Sequence, residues 1–432
     1  MCRMPSAQFV LLILAISSGL CSSTAGDQID DSISSSNPLG IFGNADMNDR
    51  IDEADAAYVR RIIEGKSETT KLSDANYDGK VDSQDIDQIE KIINGENSEL
   101  TLIDDTITDE FPEGMPVTIH LPVSRIVALN QDAAEVLLIL QSTDKIIGIA
   151  DSIAEDIKFP PEISKLPLVG SSSDADVEKI LKLKPDMVLT YGSDLTRWTI
   201  GLEKDLKAAD ITLLRLNCYK PATMSSDIIK LGYIFDNRAI AEEFVDWYEN
   251  YTSVINERVG ALKEDGKPRV YVERSLYKAY SNGSAAHEIV VMAGGENIAA
   301  DLNSIYPEVD PEWVIDQNPD IILKTATSGV IGGYVDDTSQ MKGAWDEIMN
   351  RSELANVKAV KENKVYVIHT QGVWNNPEYF IGLIYLGKWF HPDLFEDLDP
   401  QAIHQEFLDR FLGLDYDLNE HGTFVYPPLE MN

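Results

Sequence analysis

Val177-Glu178-Lys179-Ile180-Leu181-Lys182-Leu183-Lys184-Pro185-Asp186-Met187-Val188-Leu189 is the stretch on which the fold turns. Asp176–Leu183 has the spacing of a helix, Pro185 stops it, and Met187–Thr190 is an apolar strand. The same order recurs further on. Pro311-Glu312-Trp313-Val314 precedes Asn318-Pro319-Asp320-Ile321-Ile322-Leu323. In each copy a helical glutamate lies seven residues before a Pro-Asp pair that opens a strand. Two lobes of similar construction are implied.

On both sides of these segments the chain alternates strand and helix, the pattern of parallel sheets covered by helices. Strands are expected at Arg125–Leu129, Lys145–Ala150, Thr212–Leu216, Arg269–Glu273, Ile321–Lys324 and Val365–Ile368. Helices are expected at Glu135–Leu140, Leu202–Ala209, Phe380–Trp389 and Ala402–Phe411. Between the halves runs one long helix, Arg238 to Leu262. Phe244, Tyr248, Tyr251, Ile255, Val259 and Leu262 form its apolar stripe, and its length would be about 37 Å. The expected organisation is an N-terminal lobe over 117–237, a linking helix over 238–263, a C-terminal lobe over 264–412 and a tail over 413–432.

Ahead of the lobes an acidic loop occurs twice, thirty residues apart. Asn44, Asp46, Asn48, Asp52 and Asp55 are matched by Asp74, Asn76, Asp78, Asp82 and Asp85. Oxygen side chains at loop positions 1, 3, 5, 9 and 12, with the carbonyls of Arg50 and Lys80 at position 7, suit calcium. Gly79 allows the sharp turn. In the first copy Asp49 stands in that place and must take a left-handed conformation, so the first of the two calcium sites is expected to be the weaker. Each loop leads into an amphipathic helix, with Tyr58, Ile62 and Ile63 in one and Ile86, Ile89, Ile92 and Ile93 in the other. Residues 41–96 are thus a small all-α module. Residues 97–116, acidic and containing Pro and Gly, read as a linker.

The 432-residue chain carries a net charge of −37, which argues against nucleic acid as a partner. Residues 1–25 resemble a signal peptide: Arg3, the apolar run Phe9–Ile16, then small residues to Ala25. Cleavage near Ala25 is expected, with a lipid anchor at Cys21 as the alternative. Cys218 then stands alone and reads as a packing residue. No dinucleotide fingerprint, phosphate loop or nucleophile elbow is present, and no enzyme activity is expected. The histidines at 120, 287, 369, 391, 404 and 421 are scattered.

The doubled loop resembles the type I dockerin repeat, in which one helix follows each loop and position 12 is Asp. That resemblance implies a cohesin-like or cell-surface partner, read through positions that are Glu53-Ala54 and Ser83-Gln84 here. Residues 117–412 resemble the substrate-binding proteins of ABC importers for iron-siderophore, haem and cobalamin. The resemblance is carried by Arg125–Leu129 leading into Glu135, by Val177–Leu189, by Gly294-Gly295-Glu296-Asn297-Ile298, and by Trp374 to Trp389. It implies two Rossmann-like lobes with parallel sheets, and an exported protein that carries a metal chelate to an ABC permease dimer. It also implies that Glu178 and Glu312 dock on permease arginines. The ligand is expected between the lobes, at the carboxyl ends of the strands. Residues expected there are Asn130, Gln131, Asp132, Ser171, Tyr191, Gly192, Arg274, Tyr277, Lys324, Thr325 and Trp374. Two other readings stay open: a calcium-dependent surface scaffold with a repurposed body, and a receptor for bare transition metal.

Overall fold

The structure is a computed structural model that describes residues 38–192, 196–326, 332–374 and 376–429. The expected signal peptide at 1–25, with Cys21, lies outside the described residues. Among these, no helix is long and apolar enough to cross a membrane.

The N-terminal module is two loop–helix units, with helices α1 (Glu53–Ile63) and α2 (Ser83–Asn94) packed on each other. The twofold acidic pattern has a structural cause of its own. Asp52 and Asp82 are N-caps, and Asp55 and Asp85 answer as the third helical residue, so each loop ends in a reciprocal capping box. The buried face of α1 is Asp55, Ala56 and Val59. Of the stripe expected there, Tyr58 packs only partly and Ile63 is exposed.

Residues 97–116 are not a free linker. Strand β1 (Glu99–Ile103) lies in them and pairs antiparallel with β2 (Pro116–His120) along its full length. Leu100 and Leu102 are buried. The main chain of Phe42 and Gly40 bonds to Thr101 and Ile103 on the other edge of β1. Beyond β1, Asp105 docks on the following body: its amide donates to the Arg215 carbonyl, and its carboxylate accepts from the Asn217 amide at 2.6 Å. The alternation was overridden at the sequence level by the acidic and glycine residues around it.

The first lobe is built on β3 (Ile126–Ala128), β4 (Ile146–Ile149), β7 (Met187–Thr190) and β8 (Thr212–Arg215). All are parallel, in the order β4–β3–β7–β8. A small hairpin, β5 (Gly170–Ser171) with β6 (Asp174–Ala175), stands beside it. Helices α3 (Gln131–Ile139), α4 (Asp151–Ala154), α5 (Val177–Leu183), α6 (Thr196–Ala208) and α7 (Met224–Ile234) connect these strands and lead out of the sheet. Next, α8 (Arg238–Gly260) leads to the second lobe. Its buried face is Phe244, Val245, Trp247, Tyr248, Thr252 and Ile255. Phe244 and Trp247 meet Phe407 and Phe411, and Trp247 sets its edge on Phe380.

The second sheet has a parallel centre formed by β9 (Arg269–Ser275), β11 (Glu296–Asn297), β12 (Ile321–Ala326) and β13 (Val365–His369). It departs from the all-parallel expectation at both edges. Strand β10 (Lys278–Ala279) turns back on β9, and β14 (Val425–Tyr426) runs antiparallel to β13. The segment expected to be a tail therefore closes the sheet: the His369 amide donates to the Phe424 carbonyl. Helices α9 (Ala285–Met292), α10 (Pro311–Gln317), α11 (Ser339–Met349), α12 (Lys358–Lys361), α13 (Thr370–Val373), α14 (Tyr379–Phe390) and α15 (Pro400–Phe407) complete the lobe.

The Pro-Asp echo has a mechanical explanation. Asp186 accepts hydrogen bonds from the amides of Ser124 and Arg125 at the start of β3, and Asp320 accepts from the Arg269 amide at the start of β9. Arg125 donates to the carbonyls of Leu183 and Lys184 at the end of α5, and Arg269 to the Gln317 carbonyl at the end of α10. Lys184 and Asn318 both take left-handed C-cap conformations, at φ 51° and 43°. One arginine and one aspartate thus lock helix to strand in the same way in each lobe.

Candidate functional site

Alternating β and α segments bring the carboxyl ends of both sheets face to face, and the residues there form one buried polar cluster. From the first lobe come Glu135, in the second turn of α3, and Lys158, after α4. From the second come Asn376 and Glu378, in the connection from α13 to α14. Lys158 donates to Glu135 and, at 2.9 Å, to Glu378 Oε1. Asn376 Nδ2 donates to Glu135 Oε2 at 2.7 Å. The side chains of Glu135 and Glu378 are fully buried and that of Lys158 is 2% exposed. Among the described residues no other group donates to Glu135 Oε1 or Glu378 Oε2, and the two carboxyls lie against each other.

The electrostatics follow from this burial. Desolvation, then the neighbouring Glu378, push the Glu135 carboxyl well above the usual carboxylate range. Burial works against the Lys158 ammonium, but Glu135, Glu378 and Asp156 together outweigh it and hold it charged. Asp132, hydrogen-bonded to Tyr191, is pushed up to about 8 by burial and by Glu135. Tyr334, between β12 and α11, meets His404 Nε2 at 3.1 Å. His404 also borders a cavity of about 600 Å3 lined by Tyr385, Phe424 and Tyr426.

Burial, and then the Lys158 charge, depress His404 to about 3. Unfolded, the ring protonates near 6.5. Below that pH the unfolded chain holds a proton that the folded chain refuses, so stability is complete above about pH 6.5 and is lost toward pH 3. The loss approaches about 1.4 kcal/mol per pH unit. Melting curves of the native chain and of His404→Gln should converge on acidification. A constant gap between about pH 7 and 5 would remove His404 as the cause.

Of the residues expected at the cleft, the structure gathers some and disperses others. Gln131 and Asp132 join the cluster, Gln131 through Asp156 at 2.7 Å. Tyr191 joins through Asp132. Asn130 is an N-cap, its side chain bonding Ala133 and the Leu216 carbonyl. Gly192 lies so close to Asp105 that a Cβ would stand 2.6 Å from that carbonyl oxygen. Ser171 sits in the exposed β5–β6 turn beside Ser173. Arg274 is exposed and stacks on Tyr306. Tyr277 bonds Glu353. Lys324 pairs with Glu273, Thr325 meets Tyr280, and Trp374 is a core side chain, 1% exposed. Sequence reasoning missed Lys158, Asn376, Glu378, Tyr334 and His404 as a group. One signal was there: Glu135 is a lone ionisable residue within Ala133–Ile139.

Glu178 and Glu312 occupy the same place in the two lobes. Each is exposed in the first turn of a seven-residue helix that leads into a central strand. Glu178 is 88% exposed, with Lys182 its 3.9 Å neighbour.

In the acidic loops the side-chain oxygens are turned onto the loop's own amides. Asp74 accepts from Asp78 and Gly79, Asn76 from Asp78, Asp78 from Lys80, and buried Asp85 from Asn76 and Asp82. In the first loop Asn44 Nδ2 donates to the carbonyls of Leu39 and Asn48, so this side chain presents one oxygen only. The left-handed residue expected at Asp49 is instead Met47, at φ 65°, matched by Tyr77 at 56°. Gly79 is left-handed as expected, at 88°. Asp55 and Asp85 are buried against main-chain amides, and burial raises both carboxyls, Asp55 to about 6. This all-oxygen donor set around a buried carboxylate fits a hard cation in the second loop, and less fully in the first. Among the described residues no three His, Cys, Asp or Glu side chains are gathered in a metal-holding group.

The pattern of the family described as periplasmic binding protein matches residues 126–371, more than half of the chain. The chain belongs to the periplasmic binding protein family. Its relatives include the molybdate-binding protein MolA of Haemophilus influenzae, 22% identical over 342 residues, covering 73% of this chain and 93% of that protein. A cobalamin-binding protein of Halobacterium salinarum is 26% identical over 278 residues, covering 60% of this chain and 69% of its own. The fold is shared with the TroA-like periplasmic binding protein FepB of Veillonella parvula. That match has a TM-score of 0.63 and 23% identity, and covers 77% of this chain and 99% of the other. The matched span runs through both sheets of this periplasmic binding protein and includes Glu135 and Lys158. Its activity is extracytoplasmic solute binding.

Proposed function

We propose that the protein captures a metal chelate of the iron-siderophore, haem or corrinoid type between its two lobes and delivers it to an ABC permease dimer. The observation that carries this reading is the buried polar cluster formed by Glu135, Lys158 and Glu378, drawn from the carboxyl ends of both sheets. The cobalamin-binding relative supports the chelate class. Glu178 and Glu312, one per lobe and both exposed, would each meet an arginine of one permease subunit. Intrinsic fluorescence should respond to at least one of ferric siderophore, haem or cobalamin. Silence with all three would defeat the chelate assignment.

The module at 41–96 is the part we assign to calcium and to a dockerin-like role. Asp74, Asn76, Asp78, Asp82 and Asp85, with the Lys80 carbonyl, would hold the ion of the second loop. Asn44, Asp46, Asn48, Asp52 and Asp55, with the Arg50 carbonyl, would hold the weaker one. The ion would replace amide hydrogen bonds as the tie across each loop. Added calcium should raise the melting temperature and EGTA should lower it. Identical melting curves would refute the assignment.

A further inference from the structure

The cluster between the lobes has a one-sided deficit. Its two polar atoms without a donor from any other described group, Glu135 Oε1 and Glu378 Oε2, are both carboxyl oxygens, and the two groups lie against each other. Its one side-chain ammonium, Lys158, is shared between Glu135 and Glu378, with Asp156 Oδ2 a further 3.8 Å neighbour. Asp132 stands near as a fourth carboxyl group, close enough for Glu135 to act on it. An incoming oxyanion would meet acceptors where it needs donors. An incoming cation would satisfy oxygens that the protein leaves unpaired.

We propose that Glu135 and Glu378 form a cation subsite, and that Lys158 occupies it in the empty protein as a stand-in for a positively charged group of the ligand. This rests on the metal-chelate reading and narrows it: the chelate presents net positive charge to the α3 and α13–α14 faces. Lys158 then has two duties. Its ammonium neutralises the carboxylates when no ligand is present, and its bond to Glu378 ties the two lobes together. A ligand must displace that bond, so entry of the cation and release of the tie are one event.

The proposal separates the roles of the three charged residues by sign. A merely structural cluster would lose binding whichever member was changed. A cation subsite with an internal competitor loses binding when an acid is removed and gains it when the lysine is removed. The probe is hexaamminecobalt(III), an inert cationic complex, titrated by calorimetry in physiological salt with the acidic loops saturated by calcium. Molybdate serves as the oxyanion probe. Glu378→Gln should weaken the cobalt complex about tenfold or more, whereas Lys158→Gln should tighten it by a similar factor. Glu135→Gln repeats the acid test from the other lobe, in case Glu378→Gln does not fold. Molybdate binding in preference to the cation, an unchanged affinity in both acid variants, or weakening by Lys158→Gln would each overturn the subsite. If fluorescence shows a chelate bound equally by native protein and Glu378→Gln, only the subsite fails. If no chelate binds at all, the underlying reading fails with it.

Discussion

Arg351→Met should lower the free energy of unfolding by about 3 to 5 kcal/mol, the cost of stranding a buried charge. Arg351 forms a bidentate fork on Glu273, at 2.7 and 2.8 Å, beneath the second sheet. Glu273 is fully buried and Arg351 is 8% exposed. The Tyr277 ring lies 4.8 Å from the guanidinium and shields it from water. Lys324, 3.3 Å from Glu273 Oε1, is a second cation on that carboxylate, and it places the effect toward the lower end of the range. Arg410→Met is the control. Arg410 also meets two carboxylates, Glu243 and Glu406, but all three side chains are at least 40% exposed, and the change should cost about 1 kcal/mol or less. Urea unfolding followed by circular dichroism compares the two. Equal losses would show that burial does not set the strength of the Arg351 fork.

The second large effect should come from one methyl group. In Gly382→Ala the new Cβ would lie 1.9 Å from the Val373 carbonyl oxygen. That atom is main chain, so no rotamer change relieves the clash, and α14 must move off α13. Overpacking of a core by side chains costs about 1 to 3 kcal/mol, and a backbone collision should exceed about 3. The shift would carry Glu378 with it, so the bond to Lys158 should weaken and the variant should be less compact in small-angle scattering. Gly201→Ala, with no atom within 4 Å of its Cβ, is the counterpart. It adds the same methyl within α6 and should stabilise by about 0.5 to 1 kcal/mol. A Gly382→Ala protein as stable as the native one would mean that α13 and α14 are less rigidly joined than the structure shows.

The fold was legible where one signal dominated. Val177–Leu189 and Pro311–Leu323 combine helical spacing, a proline stop and an apolar run, and the strand Met187–Thr190 appears at the expected residues. Strand β1 was hidden because Glu99–Ile103 alternates weakly inside an acidic segment, and composition outweighed a pattern only five residues long. Strand β14 was hidden for another reason: two residues, Val425 and Tyr426, become a strand only because β13 has a free edge. The site was harder to read than the fold. Lys158 looks like any loop lysine until α4 turns it toward Glu135, and Glu378 lies 243 residues from Glu135 in sequence (378 minus 135). Tertiary packing alone makes them neighbours. Residues chosen for standing just after a strand split accordingly: Asp132 and Tyr191 face the cluster, while Arg274 faces solvent.

The two-loop module meets the first lobe through its own main chain and the lobe's side chains. The Ile51 amide bonds the Tyr233 hydroxyl, Arg238 reaches the Ile93 carbonyl and stacks on Tyr233, and the two share one apolar core. Mechanically, the module and the first lobe are one body: a load on the module bears directly on β1, α7 and the start of α8.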